Sequence, residues 1–268
     1  MSLNLPEIID SHCHLDFPEI MENIDQIIAR AKQRGVSKFV TISTSEISLT
    51  SAIKLSEKFK EVYFGFGLHP MHVSKSETMT LETLINISKH PKMVGIGETG
   101  LDYYYSSHTK EMQIQSMLTH IKAARKTKLP LIIHSRNADE DMAKILKTEF
   151  QVEEFKCVMH CFSSGKHLAK ITSELGFYLS MSGIVTFPKS ICLREIFSKI
   201  STSQIILETD SPYLAPVPNR GKTNEPAFTA DTAKVGAKIF GKSETEFRQL
   251  TTNNFYKLFT KVRKIKFE

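Results

Sequence analysis

Eight short runs of β-branched and other apolar residues alternate with longer amphipathic segments, and this alternation constrains the fold more than any other feature. The runs predict strands at residues 8–11, 38–43, 62–66, 94–97, 131–134, 157–160, 177–180 and 205–208. Such alternation is typical of βα units built around a parallel sheet. Eight repetitions in 268 residues predict an α/β protein with a (β/α)₈ TIM barrel, forming a single domain over residues 1–268.

An open, doubly wound parallel sheet is the alternative to a closed barrel. Nucleotide-binding sheets of that type carry a glycine-rich loop directly after the first strand. Here the first predicted strand runs into Ser11, His12, Cys13 and His14 instead. The barrel is therefore the favoured architecture.

The composition is typical of a packed globular protein and argues against several other classes. Hydrophobic residues make up 41% and charged residues 24% of the chain. No apolar run approaches the ~18 residues that cross a membrane, and the N-terminus lacks the features of a signal peptide, so a cytoplasmic protein is expected. The four cysteines are too few for a disulfide framework and are expected to be reduced thiols. A monomer is the default expectation, although the sequence does not specify the assembly.

Two histidines lie two residues apart at the end of the first predicted strand. Alternate residues of a strand face the same side, so His12 and His14 point one way and Cys13 points the other. This arrangement suits two nitrogen ligands on one metal ion and removes Cys13 from the candidate ligands. A His-x-His pair alone is weak evidence for a metal.

Four further polar side chains fall at the C-terminal ends of other predicted strands. They are Glu98, His134, His160 and Asp210. This rim of the barrel is where enzymes of the fold build their active sites. Burying all six groups together without a metal would leave unpaired polar atoms, at a cost of ~1–3 kcal/mol each. The sequence therefore predicts a metal site formed by these six residues.

The remaining histidines are interpreted differently. His69 follows the third predicted strand on the same rim, and we predict that it contacts substrate. His90, His108, His120 and His167 fall in predicted helices or polar turns and are expected to be surface residues.

Eight segments of the chain resemble the TatD family of metal-dependent deoxyribonucleases, within the amidohydrolase-like barrel superfamily. In chain order they are IDSHCHLD, GLHP, GIGETGLDYYY, LPLIIHSR, HCFSSG, LGFYLSMSGIVTF, ETDSPYLAP and RGKTNEP. The resemblance implies two divalent metal ions with Glu98 as the bridge between them. One ion would be held by His12, His14, Glu98 and Asp210, and the other by Glu98, His134 and His160.

The same resemblance implies an activity. The expected reaction is cleavage of phosphodiester bonds in DNA, as a 3′→5′ exonuclease on single strands, with RNA as a second candidate substrate. Nucleic acid is therefore the expected partner. A mixed histidine and carboxylate site accepts Mg, Mn or Zn, so the metal identity stays open.

Individual roles follow from position. Asp210 is the predicted proton acceptor and later proton donor, and Glu98 belongs with it to the predicted catalytic machinery. Arg136 lies two residues past His134 and could hold a phosphate through two N–H groups. Glu208 could orient a ligand or the attacking water, or could be a structural carboxylate. The predicted substrate-binding residues are His69, Arg136, Glu208, Arg220 and Lys222.

Three consecutive tyrosines, Tyr103, Tyr104 and Tyr105, follow the fourth predicted strand. One of them could stack on a nucleobase. At least two of them are expected to pack against the barrel rim.

Two other functions remain open at this stage. The same metal cage could serve an amidohydrolase that acts on a small cyclic amide or ester, or the chain could be a non-catalytic binding protein that kept the fold. The net charge of +6 favours a polyanionic substrate, because Lys and Arg side chains replace the counterions around phosphates. Retention of every candidate ligand argues against a non-catalytic protein.

Overall fold

A computed structural model of the chain describes residues 5–74 and 79–262, so both ends of the predicted domain lie outside the described residues. Eight parallel strands follow one another around a single sheet in chain order, as predicted for a (β/α)₈ barrel. The strands are β1 (Ile8–Cys13), β2 (Val36–Ser43), β3 (Val62–Phe66), β4 (Met93–Asp102), β5 (Leu131–Arg136), β6 (Cys157–Met159), β7 (Tyr178–Met181) and β8 (Ile205–Leu207).

Ten helices accompany these strands within the described residues. They are α1 (Pro18–Met21), α2 (Ile24–Gln33), α3 (Glu46–Lys58), α4 (Leu81–Ser88), α5 (Lys110–Thr127), α6 (Asp139–Val152), α7 (Lys166–Glu174), α8 (Ile191–Phe197), α9 (Thr229–Ile239) and α10 (Glu244–Leu258). In the part of the chain that the structure describes, none of the helices has the length and apolar character needed to cross a bilayer.

Hydrogen bonds bring the two ends of the sheet together. The backbone N–H of Asp210, just past β8, donates to the carbonyl of His12 at 2.9 Å, and the N–H of His14 donates to Ser211 at 2.8 Å. Beneath them the buried Asp10 carboxylate accepts from the backbone and hydroxyl of Thr209, at 2.8 and 2.5 Å. The first and last strands therefore place their polar ends side by side.

Apolar side chains fill the interior of the barrel at the end opposite the C-terminal rim. Inward-facing aliphatic residues form one buried cluster with the end of α10. There the ring of Phe255 stacks on that of Phe259, the residue after the helix, with the ring centroids 4.7 Å apart. The strand residues of this cluster are Ile9, Val40, Ile42, Val94, Ile132, Val158 and Ile206. A second, larger apolar layer lies between the strands and the surrounding helices. Because apolar side chains fill the lower interior, the polar ends of the strands lie above them, at the C-terminal rim.

One histidine expected on the surface is buried. His120 of α5 has no exposed surface, and its Nε2 accepts from the backbone N–H of Leu68 at 3.0 Å while Nδ1 donates to the Ser116 carbonyl at 2.7 Å. The sequence prediction was wrong because the helical pattern does not reveal which polar side chain anchors a loop. His120 holds the loop after β3 that carries His69.

This contact predicts a pH-dependent stability. Burial lowers the pKa of His120 from 6.5 to about 4, so the neutral ring is favoured in the folded state. As the pH falls below 6.5, His120 takes up a proton in the unfolded chain but not in the folded protein. The folded protein therefore loses stability progressively until the pH reaches the pKa of His120 in the folded state. The free energy of unfolding should fall by up to ~3 kcal/mol over this range.

Urea unfolding of metal-free protein at pH 7 and pH 4.5 would measure the loss. The His120→Gln variant lacks the titrating ring, so its stability should depend less on pH than that of the wild type. Equal pH dependence of the two proteins would show that His120 does not contribute.

Candidate metal centre

Glu98 lies at the middle of a ring of histidines. Its carboxylate, 3% exposed, is 2.8 Å from His160 Nε2, 3.0 Å from His134 Nδ1, 3.3 Å from His69 Nε2 and 3.4 Å from His12 Nε2. The His12 and His160 rings are stacked with their centroids 3.9 Å apart. Four histidines, carried by β1, β5, the loop after β3 and the residue after β6, therefore converge on one carboxylate.

Asp210 forms a second polar group next to the first. Its Oδ1 lies 3.5 Å from His14 Nε2 and 3.7 Å from His12 Nε2, so His12 belongs to both groups. The structure thus brings together all six residues predicted as metal ligands. His69, which was predicted to contact substrate, also lies inside the cluster. It forms a group with Glu98 and His134 in which the possible ligand atoms lie within 4.8 Å of one another.

Glycine allows β4 to approach β5 closely at this point. Gly100 has a φ of +142°, and a Cβ atom on it would lie 2.0 Å from the backbone oxygen of His134. Any other residue would both strain the backbone and push the strands apart. Gly100 therefore fixes the spacing between the strand that carries Glu98 and the strand that carries His134.

The electrostatics of the cluster couple its acids and bases. Burial would raise the pKa of Glu98, but the adjacent histidines, His160 first, hold it well below its usual value. Burial would likewise lower the pKa of His160, which Glu98 and Glu208 instead hold well above its usual value. Burial would also lower the pKa of His14, but the adjacent Asp210 carboxylate outweighs this effect and raises that pKa to about 8. Glu98 and Asp210 are accordingly ionised at neutral pH.

Outer contacts orient the imidazoles. Asp102 lies 3.0 Å from His134 Nε2, which leaves Nδ1 facing Glu98. The fully buried Glu208 lies 3.4 Å from His160 Nδ1 and accepts from the Cys161 N–H at 2.6 Å. Carboxylates placed in this way set the tautomer and the orientation of a ligating histidine.

Sequence reasoning missed Asp102 and named Glu208 among the substrate-binding residues. Glu208 lies behind His160, with no exposed surface, in a position to orient a ligand. Asp102 is the last residue of β4, and Glu98 lies near the middle of the same strand. Both belong to the motif GETGLD. The presence of Asp102 in the same motif as Glu98 was the sequence feature that could have identified it.

The donor set fits divalent metal ions. Neither ring nitrogen of the buried His12 has a hydrogen-bond partner among the described residues. A buried, unsatisfied imidazole is costly unless a further group binds it, and nitrogen and carboxylate oxygen atoms suit Zn, Mn and Mg-type sites. Cys13 points away, donating from Sγ to the Val40 carbonyl at 3.4 Å, as the strand alternation predicted.

The predicted substrate-binding cations lie on the outside of the rim. Arg136 is exposed at the end of β5. Arg220 is exposed in the loop after β8, where its guanidinium lies 3.8 Å from the Phe187 ring centroid and donates to the Ala215 carbonyl at 3.1 Å. Lys222 is exposed in the same loop. The three side chains therefore lie at or beyond the C-terminal ends of β5 and β8 without joining the cluster.

The cluster and the barrel agree with a known family. The profile of the family described as TatD related DNase matches residues 9–260, nearly the whole chain. The chain belongs to the TatD family. The resemblance of the sequence motifs is thereby confirmed.

Similar proteins agree with this membership. The TatD-family chain is 39% identical over 262 residues to an uncharacterized metal-dependent hydrolase, BU355, of Buchnera aphidicola, covering 94% of this chain and 98% of that protein. It is 37% identical over 255 residues to the uncharacterized metal-dependent hydrolase YcfH of Escherichia coli, covering 94% and 95%. The crystal structure of YjjV, a TatD homologue of E. coli, superposes with a TM-score of 0.86 at 29% identity, covering 94% and 98%. The chain is a metal-dependent hydrolase of the TatD family.

Proposed function

We propose that this TatD-family hydrolase cleaves phosphodiester bonds in nucleic acid and uses two divalent metal ions. The preferred substrate is single-stranded DNA, degraded from the 3′ end, with RNA as a second candidate. One observation carries the proposal: three groups of three possible ligands adjoin one another. Two of them share Glu98, and the group that contains Asp210 shares His12 with one of these two. The family description as a DNase and the exposed cations of the rim support a phosphate substrate.

The residues divide into two ligand sets. His12, His14, Asp210 and Glu98 would hold one ion, and Glu98 with His134 and His160 would hold the other. When bound, such ions supply Lewis-acid activation of both the attacking water and the phosphate. Mg, Mn and Zn all suit this donor set.

Asp210 is the proposed proton acceptor. Its carboxylate is 14% exposed, so water can reach it from the opening of the barrel. Burial would raise the pKa of Asp210, but His14 and its neighbours hold the pKa below the usual value, so the group is ionised and able to accept a proton. The protonated acid can then return the proton to the leaving oxygen.

Hydrolysis of a small cyclic amide or ester is the alternative. The same donor set could activate water for either attack, but the exposed Arg136, Arg220 and Lys222 favour an anionic polymer. An end-labelled single-stranded oligonucleotide and a panel of cyclic amides and lactones, offered to one metal-loaded preparation, distinguish the two. We expect release of mononucleotides. Turnover of the amides alone would reject the proposal.

Arg136 provides a test of substrate binding separate from metal binding. Because its guanidinium lies outside the ligand cluster, Arg136→Ala should keep the full metal content. Loss of a charge-assisted hydrogen bond to phosphate should raise KM by ~10-fold or more. His12→Ala is the matched comparison, since it removes a proposed ligand and should lower metal occupancy. Equal metal loss in both variants, by elemental analysis, would show that Arg136 has been assigned wrongly.

A further inference from the structure

Two exposed tyrosines and an arginine form a cluster beside the metal centre. Tyr104 and Tyr105 are 57% and 56% exposed, and their rings meet edge to face with centroids 4.7 Å apart. The Arg136 guanidinium carbon lies 4.3 Å from the centroid of Tyr104 and 4.7 Å from that of Tyr105. We call these three residues the aromatic platform. At least two of the three consecutive tyrosines were expected to pack against the rim, and the structure contradicts this.

Tyr103, the first of the three consecutive tyrosines, packs against neighbouring side chains. Its hydroxyl donates to Asp141 at 2.9 Å, and Lys110 lies 5.2 Å from its ring centroid. No equivalent side-chain hydrogen bond holds Tyr104 or Tyr105 among the described residues, although each ring has the Arg136 contact. In the described chain a third exposed tyrosine, Tyr213, follows β8 on the same rim. Exposed aromatic side chains therefore concentrate around the opening of the barrel.

Asp102 joins the platform to the metal centre. One of its carboxylate oxygens lies 3.0 Å from Nε2 of the proposed ligand His134. The other accepts from the backbone N–H groups of Tyr104 and Tyr105, at 3.0 and 2.8 Å. Because these bonds go to the backbone, the position of the turn does not depend on the tyrosine side chains.

A cavity adjoins the platform at Arg136. Its volume is about 750 Å³, and its lining combines Lys110, Ser135 and Ser163 with the acidic side chains of Asp139, Glu140 and Asp141. Its volume is within the ~300–1,000 Å³ of typical ligand sites. Among the described residues the lining does not include Tyr104 or Tyr105, so the stacking surface consists of their exposed ring faces, with Arg136 between them and the cavity.

We propose that Tyr104, Tyr105 and Arg136 form a stacking site for the nucleobase next to the phosphate being cleaved. This inference rests on the proposed function and specifies how the strand is recognised. Aromatic rings stack on every base, and a guanidinium plane does so as well, so the site tolerates any sequence. A base can occupy it only when it is unstacked and unpaired, which favours single strands and frayed ends over duplex interiors.

The test compares substrates with and without bases. The double variant Tyr104→Ala/Tyr105→Ala should keep its metal content and raise KM for a single-stranded oligonucleotide by ~5- to 100-fold, with little change in kcat. For an abasic oligonucleotide of equal length, KM should be the same for the wild type and the variant. The Tyr104→Phe/Tyr105→Phe variant keeps both rings and should behave as the wild type. Equal losses on both substrates, or no loss at all, would overturn the inference.

Binding measurements separate this inference from the proposed function. Fluorescence anisotropy with the same labelled oligonucleotides reports affinity whether or not the strand is cut. If the wild type binds the base-containing strand more tightly than the abasic one, and the alanine variant loses that difference, the stacking site stands even when no cleavage occurs. If the wild type cleaves DNA but binds both strands equally, the proposed function stands and the stacking site is rejected. Absence of both cleavage and base-dependent binding rejects both.

Discussion

Replacing Asp210 by asparagine should lower hydrolysis by ~10²-fold or more while the fold survives. Asparagine cannot accept the proton of the attacking water. It also removes a negative charge next to His12 and His14, which weakens the hold on one ion. The ligand set of Glu98, His134 and His160 is left intact. Raising the metal concentration should therefore restore occupancy but not the rate.

The local backbone suits this substitution. Asp210 has a φ of +58°, which asparagine tolerates as well as aspartate does, and its N–H bond to the His12 carbonyl is kept. If Asp210 were only a cap for the turn into Ser211 and Pro212, asparagine would serve almost equally well. Near-normal rates at saturating metal would support that structural role and remove Asp210 as the proton acceptor.

Glu98→Gln should have a still larger effect. The carboxylate lies within 3.4 Å of His12, His69, His134 and His160, so its loss weakens both proposed ligand sets at once. Each activating ion is worth several kcal/mol of transition-state stabilisation, so hydrolysis should fall by ~10³-fold or more. Elemental analysis should find both ions depleted after dialysis.

The matched control is Glu61→Gln, which removes a carboxylate paired with Lys32 at the opposite end of the barrel. It should retain full metal content and activity. A Glu98→Gln protein that kept two ions per chain would rule out Glu98 as the shared ligand.

Most of the barrel could be predicted from the sequence because buried parallel strands are short, apolar and separated by helices. All eight strands occur where they were expected, within a few residues. The prediction ended β4 at residue 97, yet the strand continues to Asp102. Its second half contains polar residues and glycine, and it stays in the sheet because it pairs with β5 through residues such as Leu101 and Ser135.

The centre of the site could be predicted for a related reason. Parallel strands in a barrel all end at one rim, so His12, Glu98, His134 and Asp210 had to meet once the strands were identified. Contacts that depend on packing could not be predicted. The anchoring of a loop by His120 and the double role of Asp102 arise from side-chain directions that no spacing rule encodes.

We expect hydrolysis to require two divalent ions bound in one centre. Chelation with EDTA should abolish activity, and stepwise addition of Mn or Mg to the chelated protein should restore it. The deciding experiment measures cleavage of an end-labelled oligonucleotide as a function of the number of metal ions bound per chain. We expect activity to rise until two ions are bound per chain and to stay near background with only one. Full activity at one ion per chain, or turnover by protein shown to contain no metal, would contradict this expectation.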